Sequence, residues 1–98
     1  MHVIEIRQTE VYAKWFTKLR DHQARARILV RIRRLSLGNP GDVAPVGEGV
    51  LEMRIHYGPG YRVYYVERGQ TLIVLLAGGD KRTQKKDISL AIELAKEL

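Results

Sequence analysis

The chain has 98 residues, of which 45% are hydrophobic, and this composition excludes a disordered chain and predicts one small domain over residues 1–98. Seventeen Lys and Arg against eleven Asp and Glu give a net charge of +6, which favours a polyanionic partner: nucleic acid, an acidic protein or an anionic membrane surface. The chain has no Cys, which excludes disulfides and thiolate chemistry. Its three His lack the spacing of a zinc site, so we expect neither a metal nor a cofactor.

The hydropathy pattern gives no sign of a membrane-spanning segment. The longest apolar run, residues 72–77, is far shorter than the roughly 20 residues that cross a bilayer. The first residues alternate in polarity and do not form a signal-peptide core. We therefore expect no membrane partner and a cytoplasmic location.

The N-terminal part of the chain predicts a strand followed by a helix pair. Alternating apolar residues predict a strand over residues 2–7. Thr9 and Asp21 are placed to cap the two helices, and Gly38 to end the second one. The apolar side chains that recur at helical spacing are Val11, Tyr12, Trp15, Phe16 and Leu19 in the first helix, and Ala24, Ile28, Ile32 and Leu35 in the second.

A basic ridge is predicted on the second helix, where Arg27, Arg31 and Arg34 recur at four- and three-residue spacing. Such a ridge is either a solvated helix face or a contact surface for RNA phosphates or an acidic partner. Residues 39–49, which follow the helix, contain three Gly and two Pro. We expect a loop there.

A β-hairpin is predicted by the alternating polarity of residues 51–57 and 61–66. A two-residue turn would place apolar side chains opposite charged ones, so we predict a three-residue loop in which Gly60 adopts a positive φ. This register pairs Tyr57 with Tyr61, His56 with Arg62, and Arg54 with Tyr64. One sheet face then packs on the helices, and the other openly displays Arg54, His56, Arg62 and Tyr64.

The C-terminal third predicts a buried strand and a last helix. Residues 72–77 are apolar at every position, which is typical of a strand covered on both faces. The last helix begins at either Asp87 or Thr83. The connection between the buried strand and the last helix carries the cations Lys81, Arg82, Lys85 and Lys86. Free backbone N–H groups and the helix dipole also favour anions at such a position.

These side chains suit RNA cleavage by attack of a 2′-hydroxyl on the adjacent phosphate, which needs a base, an acid and cations. Arg62 and Arg54 are candidates for stabilising the developing charge, because Arg binds phosphate through two parallel hydrogen bonds. The plainer interpretation is that both pair across strands with Glu52 and Glu67.

Further candidates surround this pair of arginines. Lys81, Arg82 and Lys85 are placed to approach the same pocket, and His56 is a candidate acid or base. The candidate nucleic-acid-binding residues are Tyr64, as a stacking platform, Lys86, Arg27, Arg31 and Arg34. The plainer interpretation of the 81–86 cluster is an electrostatic footprint without chemistry.

The order of these elements, with the segments WFTKLRD, GVLEMRIHYGPGYRVYY and LLAGGDKRTQKKDI, resembles the RelE/ParE toxin superfamily. The similarity is closest to its HigB-like branch of addiction module killer proteins and covers essentially the whole chain. It implies an α+β fold of order β-α-α-β-β-β-α, in which a small, mostly antiparallel twisted sheet has an αα-hairpin on one face and a C-terminal helix.

The resemblance also implies a function. The chain would be the toxin of a type II toxin–antitoxin pair, neutralised by a helix-turn-helix antitoxin encoded beside it. It would cut mRNA in the ribosomal A site without a metal. By position, Arg62 matches the family's catalytic arginine, Arg54 lies near a basic position of the preceding strand, and Lys81 and Arg82 match the basic pair after the last strand.

One position departs from the family pattern. RelE-like enzymes place a catalytic tyrosine in the C-terminal segment, where this chain has Lys85, Lys86 and Asp87. The base is then His56, Lys85 or Asp87, or charge stabilisation supplies most of the catalysis. Two other classes stay open: a non-enzymatic, ParE-like inhibitor of DNA gyrase, and a basic RNA-binding module without cleavage.

Overall fold

The computed structural model describes residues 3–98 as a five-stranded sheet with helices on both faces. The elements in chain order are strand β1 (Glu5–Gln8), helices α1 (Glu10–Lys18) and α2 (His22–Ser36), strands β2 (Val43–Gly47), β3 (Val50–Ile55), β4 (Tyr61–Arg68) and β5 (Leu72–Gly79), a short 3-10 helix (Lys81–Thr83) and helix α3 (Gln84–Lys96). The strand order is β1-β5-β4-β3-β2, with β1 parallel to β5 and the other pairs antiparallel. The predicted α+β fold with a mostly antiparallel sheet is confirmed. His2, part of the first predicted strand, lies outside the described residues.

The helix pair begins where its caps predict. The Thr9 hydroxyl accepts a hydrogen bond from the backbone N–H of Tyr12, at 3.1 Å. The Asp21 carboxylate accepts from the N–H groups of Gln23 and Ala24, at 3.0 and 3.1 Å. Each cap satisfies donors that the first turn leaves free, so both helices start at the residue that follows the cap. On this sheet face, the buried core consists of Tyr12, Ile28, Leu35, Met53, Ile55, Val63, Tyr65, Ile73 and Leu75.

Helix α3 covers the opposite sheet face, which the sequence predicted to be open. Thr83 is its N-cap residue, so the earlier of the two predicted starts is the observed one. Its Ala91 and Ala95 pack against strand residues that include Val66 and Leu76. The prediction of an open face is wrong because most strand residues on that side are apolar and need a cover.

An additional strand occupies part of the predicted loop. Residues Val43–Gly47 form β2, which pairs with β3 at the edge of the sheet and carries an irregularity between Pro45 and Gly47. Pro and Gly are typical of loops, but an edge strand tolerates Pro because one side of its backbone needs no partner. The sequence pattern therefore predicted a loop where the structure has this strand.

The hairpin register differs from the predicted one by two residues. Strands β3 and β4 pair Ile55 with Tyr61 and Arg54 with Arg62, which leaves a five-residue loop and places His56 beyond the strand. The side chains keep the predicted alternation between faces, and Gly60 has the predicted positive φ, 80°. Within this loop, Tyr57 turns towards the start of α2, where its hydroxyl donates to the Asp21 carboxylate at 3.0 Å.

A glycine pair at the end of β5 allows helices to approach both sheet faces. A Cβ atom added to Gly78 would overlap the ring of Trp15 in α1, and one added to Gly79 would overlap the carboxylate of Asp87 in α3. Neither glycine has a positive φ, so the constraint is space and not backbone conformation.

We expect Gly78→Ala to lower the free energy of unfolding by about 1 to 3 kcal/mol, because the added methyl group overpacks against the indole. Urea denaturation of this variant, of Trp15→Leu and of the double variant measures the effect. The smaller Leu makes room, so the double variant should lose less stability than the sum of the single variants. Strictly additive losses would contradict the proposed contact.

Candidate functional site

A cleft of about 500 Å³ lies at the end of the β3–β4 hairpin. Its walls are formed by Arg54, Ile55, His56, Tyr57, Gly58, Pro59, Gly60, Arg62 and Lys81. Four of the predicted site residues, Arg54, His56, Arg62 and Lys81, therefore meet in one place. The 3-10 helix after β5 brings Lys81 to the hairpin, although the two segments are distant in sequence.

A buried carboxylate lies behind this cleft. The Glu52 side chain is almost completely buried, and its two oxygens contact four neighbours. Arg54 Nε donates to Oε1 at 3.1 Å, and Arg62 Nε forms an ion pair with Oε2 at 3.7 Å. Oε2 also accepts from the Tyr64 hydroxyl at 3.0 Å and from Gln84 Nε2 at 2.8 Å. Glu52 thus ties two strands and the first turn of α3 together.

The charge state of Glu52 follows from these contacts. Burial alone would raise the pKa of its carboxyl, but hydrogen bonds from Gln84, Arg54 and Tyr64 and the charge of Arg62 outweigh burial and hold the pKa below its ordinary value. Burial raises the pKa of the Tyr64 phenol well above its ordinary value, which keeps this group protonated as a donor. The network therefore contains a carboxylate anion and two guanidinium cations.

Arg62 is less exposed than the sequence predicted. The residue is 8% exposed and does not lie on an open face, because α3 covers that side of the sheet. Its Nη1 donates to the carbonyl of Gly60 at 2.6 Å, and its Nε faces Glu52. Within residues 3–98, Nη2 has no hydrogen-bond partner and is not fully buried, so it is the nitrogen available to an anion in the cleft.

Gly60 makes room for this arrangement. A Cβ atom at this position would lie 2.9 Å from Arg62 Nη1 and 3.0 Å from Lys81 Cγ. The positive φ of Gly60 also turns its carbonyl towards the guanidinium. The segment Gly58-Pro59-Gly60 is therefore part of the cleft wall as well as a turn.

Tyr64 does not serve the predicted role as a stacking platform. Its ring is fully buried beneath α3, and its hydroxyl is occupied by Glu52. The predicted register placed Tyr64 on an exposed sheet face, and the cover supplied by α3 corrects that expectation. Tyr57, by contrast, lines the cleft and has the guanidinium of Arg27 4.6 Å from its ring centroid.

His56 stands at the exposed rim of the cleft and is paired with an acid. Its Nε2 is hydrogen-bonded to the carboxylate of Asp42, which lies just before β2. This hydrogen bond holds the pKa of the Asp42 carboxyl below its ordinary value. A carboxylate that orients an imidazole is a recurring arrangement in acid–base catalysis.

The basic ridge of α2 divides into two roles. Arg31 donates to the backbone carbonyls of Arg54, Pro40 and Asp42, so its guanidinium holds the end of β3 against the segment before β2. Its predicted role as a phosphate contact stays a prediction, because these hydrogen bonds already assign the side chain a structural role. Arg27 and Arg34 are exposed, and within residues 3–98 neither forms an ion pair with a carboxylate.

The predicted 81–86 cation cluster is also divided. Lys81 lines the cleft, whereas the Arg82 guanidinium is bound to Asp80, with 2.9 Å between Nη2 and Oδ2. Lys85 and Lys86 are exposed on α3 and do not line the cleft. Asp87 is 6% exposed and accepts a hydrogen bond from the Thr83 hydroxyl. Of the three candidate bases, His56 is therefore the one that lines the cleft.

Sequence reasoning missed two residues that hold the site together. Asp42 lies 14 positions before His56, and Gln84 lies 32 positions after Glu52. Neither spacing follows a helical or strand period, so the sequence carried no signal for them. Glu52 was considered as a cross-strand partner for the arginines, but its complete burial follows from the position of α3. Within residues 3–98, no cluster of three potential metal-ligating side chains is present, and none of the helices is long and apolar enough to cross a membrane.

Glu52 makes the stability of the protein depend on pH. Its folded pKa lies below the unfolded one, so the unfolded state binds more protons as the pH falls. The stabilisation is complete above about pH 4.5, the usual range of Glu, and is lost as the pH falls through the folded pKa. Urea denaturation of wild type and Glu52→Gln should differ by about 3 kcal/mol at pH 7 and progressively less in acid. A difference that is constant from pH 7 to pH 3 would contradict this role.

Comparison with known proteins supports the resemblance suggested by the sequence. Residues 14–98 match the family of phage-derived Gp49-like proteins (DUF891). An uncharacterized protein of Haemophilus influenzae is 47% identical over 95 residues, which cover 97% of this chain and 96% of the relative. The Gp49-like family is a RelE/HigB-like toxin family associated with toxin–antitoxin modules. Since the family match covers residues 14–98, which is most of the chain, the chain belongs to the Gp49-like family.

Proposed function

We propose that this protein is the toxin of a type II toxin–antitoxin pair and a HigB-like, metal-independent endoribonuclease that cuts mRNA on translating ribosomes in the cytoplasm. The observation that carries the proposal is the position of Arg62. Its guanidinium is fixed between the Glu52 carboxylate and the Gly60 carbonyl, with one nitrogen left for a ligand in the cleft. Membership of the Gp49-like family, which is associated with toxins, supports it independently.

The cations of the cleft suit the charge that develops during RNA cleavage. The 2′-oxygen of one nucleotide attacks the adjacent phosphorus, the bond to the 5′-oxygen of the next nucleotide breaks, and a cyclic phosphate and a 5′-hydroxyl result. Arg62, Arg54 and Lys81 line the cleft and would stabilise the extra negative charge of the phosphorane. Because Glu52 and Gly60 fix Arg62 in advance, little reorganisation accompanies the reaction.

His56 is the proposed proton-transfer group. Its Nε2 is occupied by Asp42, so Nδ1 is the nitrogen left to exchange a proton with the 2′-hydroxyl or the leaving oxygen. The Asp42 carboxylate stabilises the imidazolium that forms after proton uptake. This pair takes the place of the C-terminal tyrosine that other RelE-like enzymes use. A gyrase inhibitor would need no such pair, and the cleft therefore favours the nuclease.

Expression of the wild-type protein in a bacterial host should stop growth and produce new mRNA 5′ ends within coding regions. Arg62→Lys should abolish both effects, because it keeps a positive charge beside Glu52 but loses Nη2, the nitrogen that is left for a ligand in the cleft. Mapping of 5′ ends in the first minutes after induction measures this outcome. Arg62→Ala is a poorer test, since removing one member of a buried ion pair also costs about 3 to 5 kcal/mol of stability.

Lys14→Ala is the matched control for these experiments. Lys14 is an exposed cation of α1 outside the cleft, so its removal should leave growth arrest and mRNA ends unchanged. Growth arrest with intact mRNA would overturn the nuclease and favour a ParE-like target such as gyrase. Full activity of Arg62→Lys would show that the positive charge at this position is sufficient and would contradict the need for the guanidinium geometry.

The role of His56 is tested with purified protein and programmed ribosomes. His56→Ala should slow single-turnover cleavage by about 10² to 10⁴, the usual contribution of a general acid or base. Asp42→Asn should slow cleavage less, because the imidazole keeps its place but loses its carboxylate. His22→Ala, which removes an exposed imidazole outside the cleft, is the control. Equal rates for His56→Ala and His22→Ala would exclude His56 from proton transfer.

A further inference from the structure

A second groove lies beside the cleft, between α2 and the end of β3. It has a volume of about 400 Å³, and its walls are formed by Ala26, Arg27, Val30, Arg31, Arg34, Ile55 and His56. Two of these residues, Ile55 and His56, also line the cleft. A molecule that fills the groove would therefore touch the rim of the candidate active site.

The outer face of α2 carries apolar side chains that no part of the described chain covers. Leu29 is 53% exposed and Val30 is 49% exposed, and Leu37, seven residues after Val30, is 49% exposed. The opposite face of the same helix buries Ala24, Ile28 and Leu35 against the sheet. The helix is therefore apolar on two sides, whereas a helix at the surface of a monomer normally has one apolar stripe.

The charge of α2 specifies the chemistry of a partner. The helix contains five Arg and no Asp or Glu. By helical spacing, Arg33 lies on one side of the line formed by Ala26, Val30 and Leu37, and Arg34 and Arg27 lie on the other. Within residues 3–98, none of these three arginines forms an ion pair. The surface is thus an apolar line with one arginine on one side and two on the other, and no carboxylate of the described residues pairs with them.

We propose that this surface, the α2 groove, binds an acidic amphipathic helix of the antitoxin, with apolar side chains on Val30 and carboxylates on Arg27 and Arg34. The proposal rests on the proposed function, which supplies an antitoxin as partner. Helix-in-groove binding uses apolar anchors at helical spacing, as the exposed line on α2 requires. RNA fits this surface less well, because half-exposed Leu and Val side chains offer phosphates nothing to bind.

The location of the groove gives the interaction a regulatory consequence. A helix seated on Val30 and Ile55 also covers His56, which stands on the boundary between groove and cleft. The bound antitoxin would therefore close one wall of the cleft without entering it. Binding of the antitoxin and binding of RNA would exclude each other at His56.

The test is calorimetric titration of the purified toxin with the purified product of the adjacent reading frame. Val30→Glu should weaken binding by about 30-fold or more, because it places a charge at the apolar centre of the interface. Arg34→Glu should weaken it by about 10-fold through charge repulsion. Leu90→Glu is the matched control, since Leu90 is a 39% exposed Leu on α3, and it should stay within about 3-fold of wild type.

Each outcome decides the proposal. Circular dichroism first establishes that the variants are folded, as expected for exposed positions. Equal affinities of Val30→Glu and Leu90→Glu would overturn the α2 groove as the binding surface, and so would a wild-type protein that does not bind the neighbouring product. Weakened binding to ribosomes or RNA with unchanged antitoxin affinity would assign α2 to RNA instead. Because titration needs no cleavage, failure of the nuclease proposal would be seen separately, in the mRNA mapping.

Discussion

The buried Glu52 carboxylate is the constraint on which both the fold and the candidate site depend. An ionised carboxyl group without access to water is tolerated only when donors and cations surround it. Here they come from three elements: β3 supplies Arg54, β4 supplies Arg62 and Tyr64, and α3 supplies Gln84. Folding of the sheet and docking of α3 therefore complete the same network that orients the cations of the cleft.

The glycines of the site allow this network to assemble. Gly79 lets the Asp87 carboxylate and the start of α3 approach the sheet closely enough for Gln84 to reach Glu52. Gly60 does the same on the hairpin side, where Arg62 and Lys81 converge. A Cβ atom at either position would displace a side chain of the site. The motifs GPGY and GGD thus have a steric explanation, which is independent of any catalytic one.

Local sequence signals predicted the features that depend only on neighbouring residues, namely the helix caps and the alternation of side chains in the hairpin. Thr9 and Asp21 cap their helices because a side-chain oxygen next to free N–H groups needs no tertiary partner. The alternation of faces in the hairpin was likewise predictable from period two. The strand at Val43–Gly47, the five-residue hairpin loop and the burial of Tyr64 depend on which element packs where, and no local pattern encodes that. The same limit applies to the Asp42–His56 pair, whose members meet only after β2 has joined the edge of the sheet.

The role of each cation that contributes to the net charge of +6 depends on whether the protein itself supplies a partner for it. Arg31, Arg54, Arg62 and Arg82 are each held by a carbonyl or a carboxylate of the protein, and three of them shape the cleft or its surroundings. Arg27 and Arg34 form no ion pair within the described residues and flank exposed apolar side chains, so acidic groups of a partner would meet no competing carboxylate there. Positioned cations suit a transition state, because their orientation is fixed before the charge develops. Unpaired cations beside apolar surface suit a protein interface, because the partner then supplies both the charge and the cover. Both the cleft and the α2 groove include His56. The segment directly after β3 therefore links the proposed catalysis to its proposed inhibition by the antitoxin.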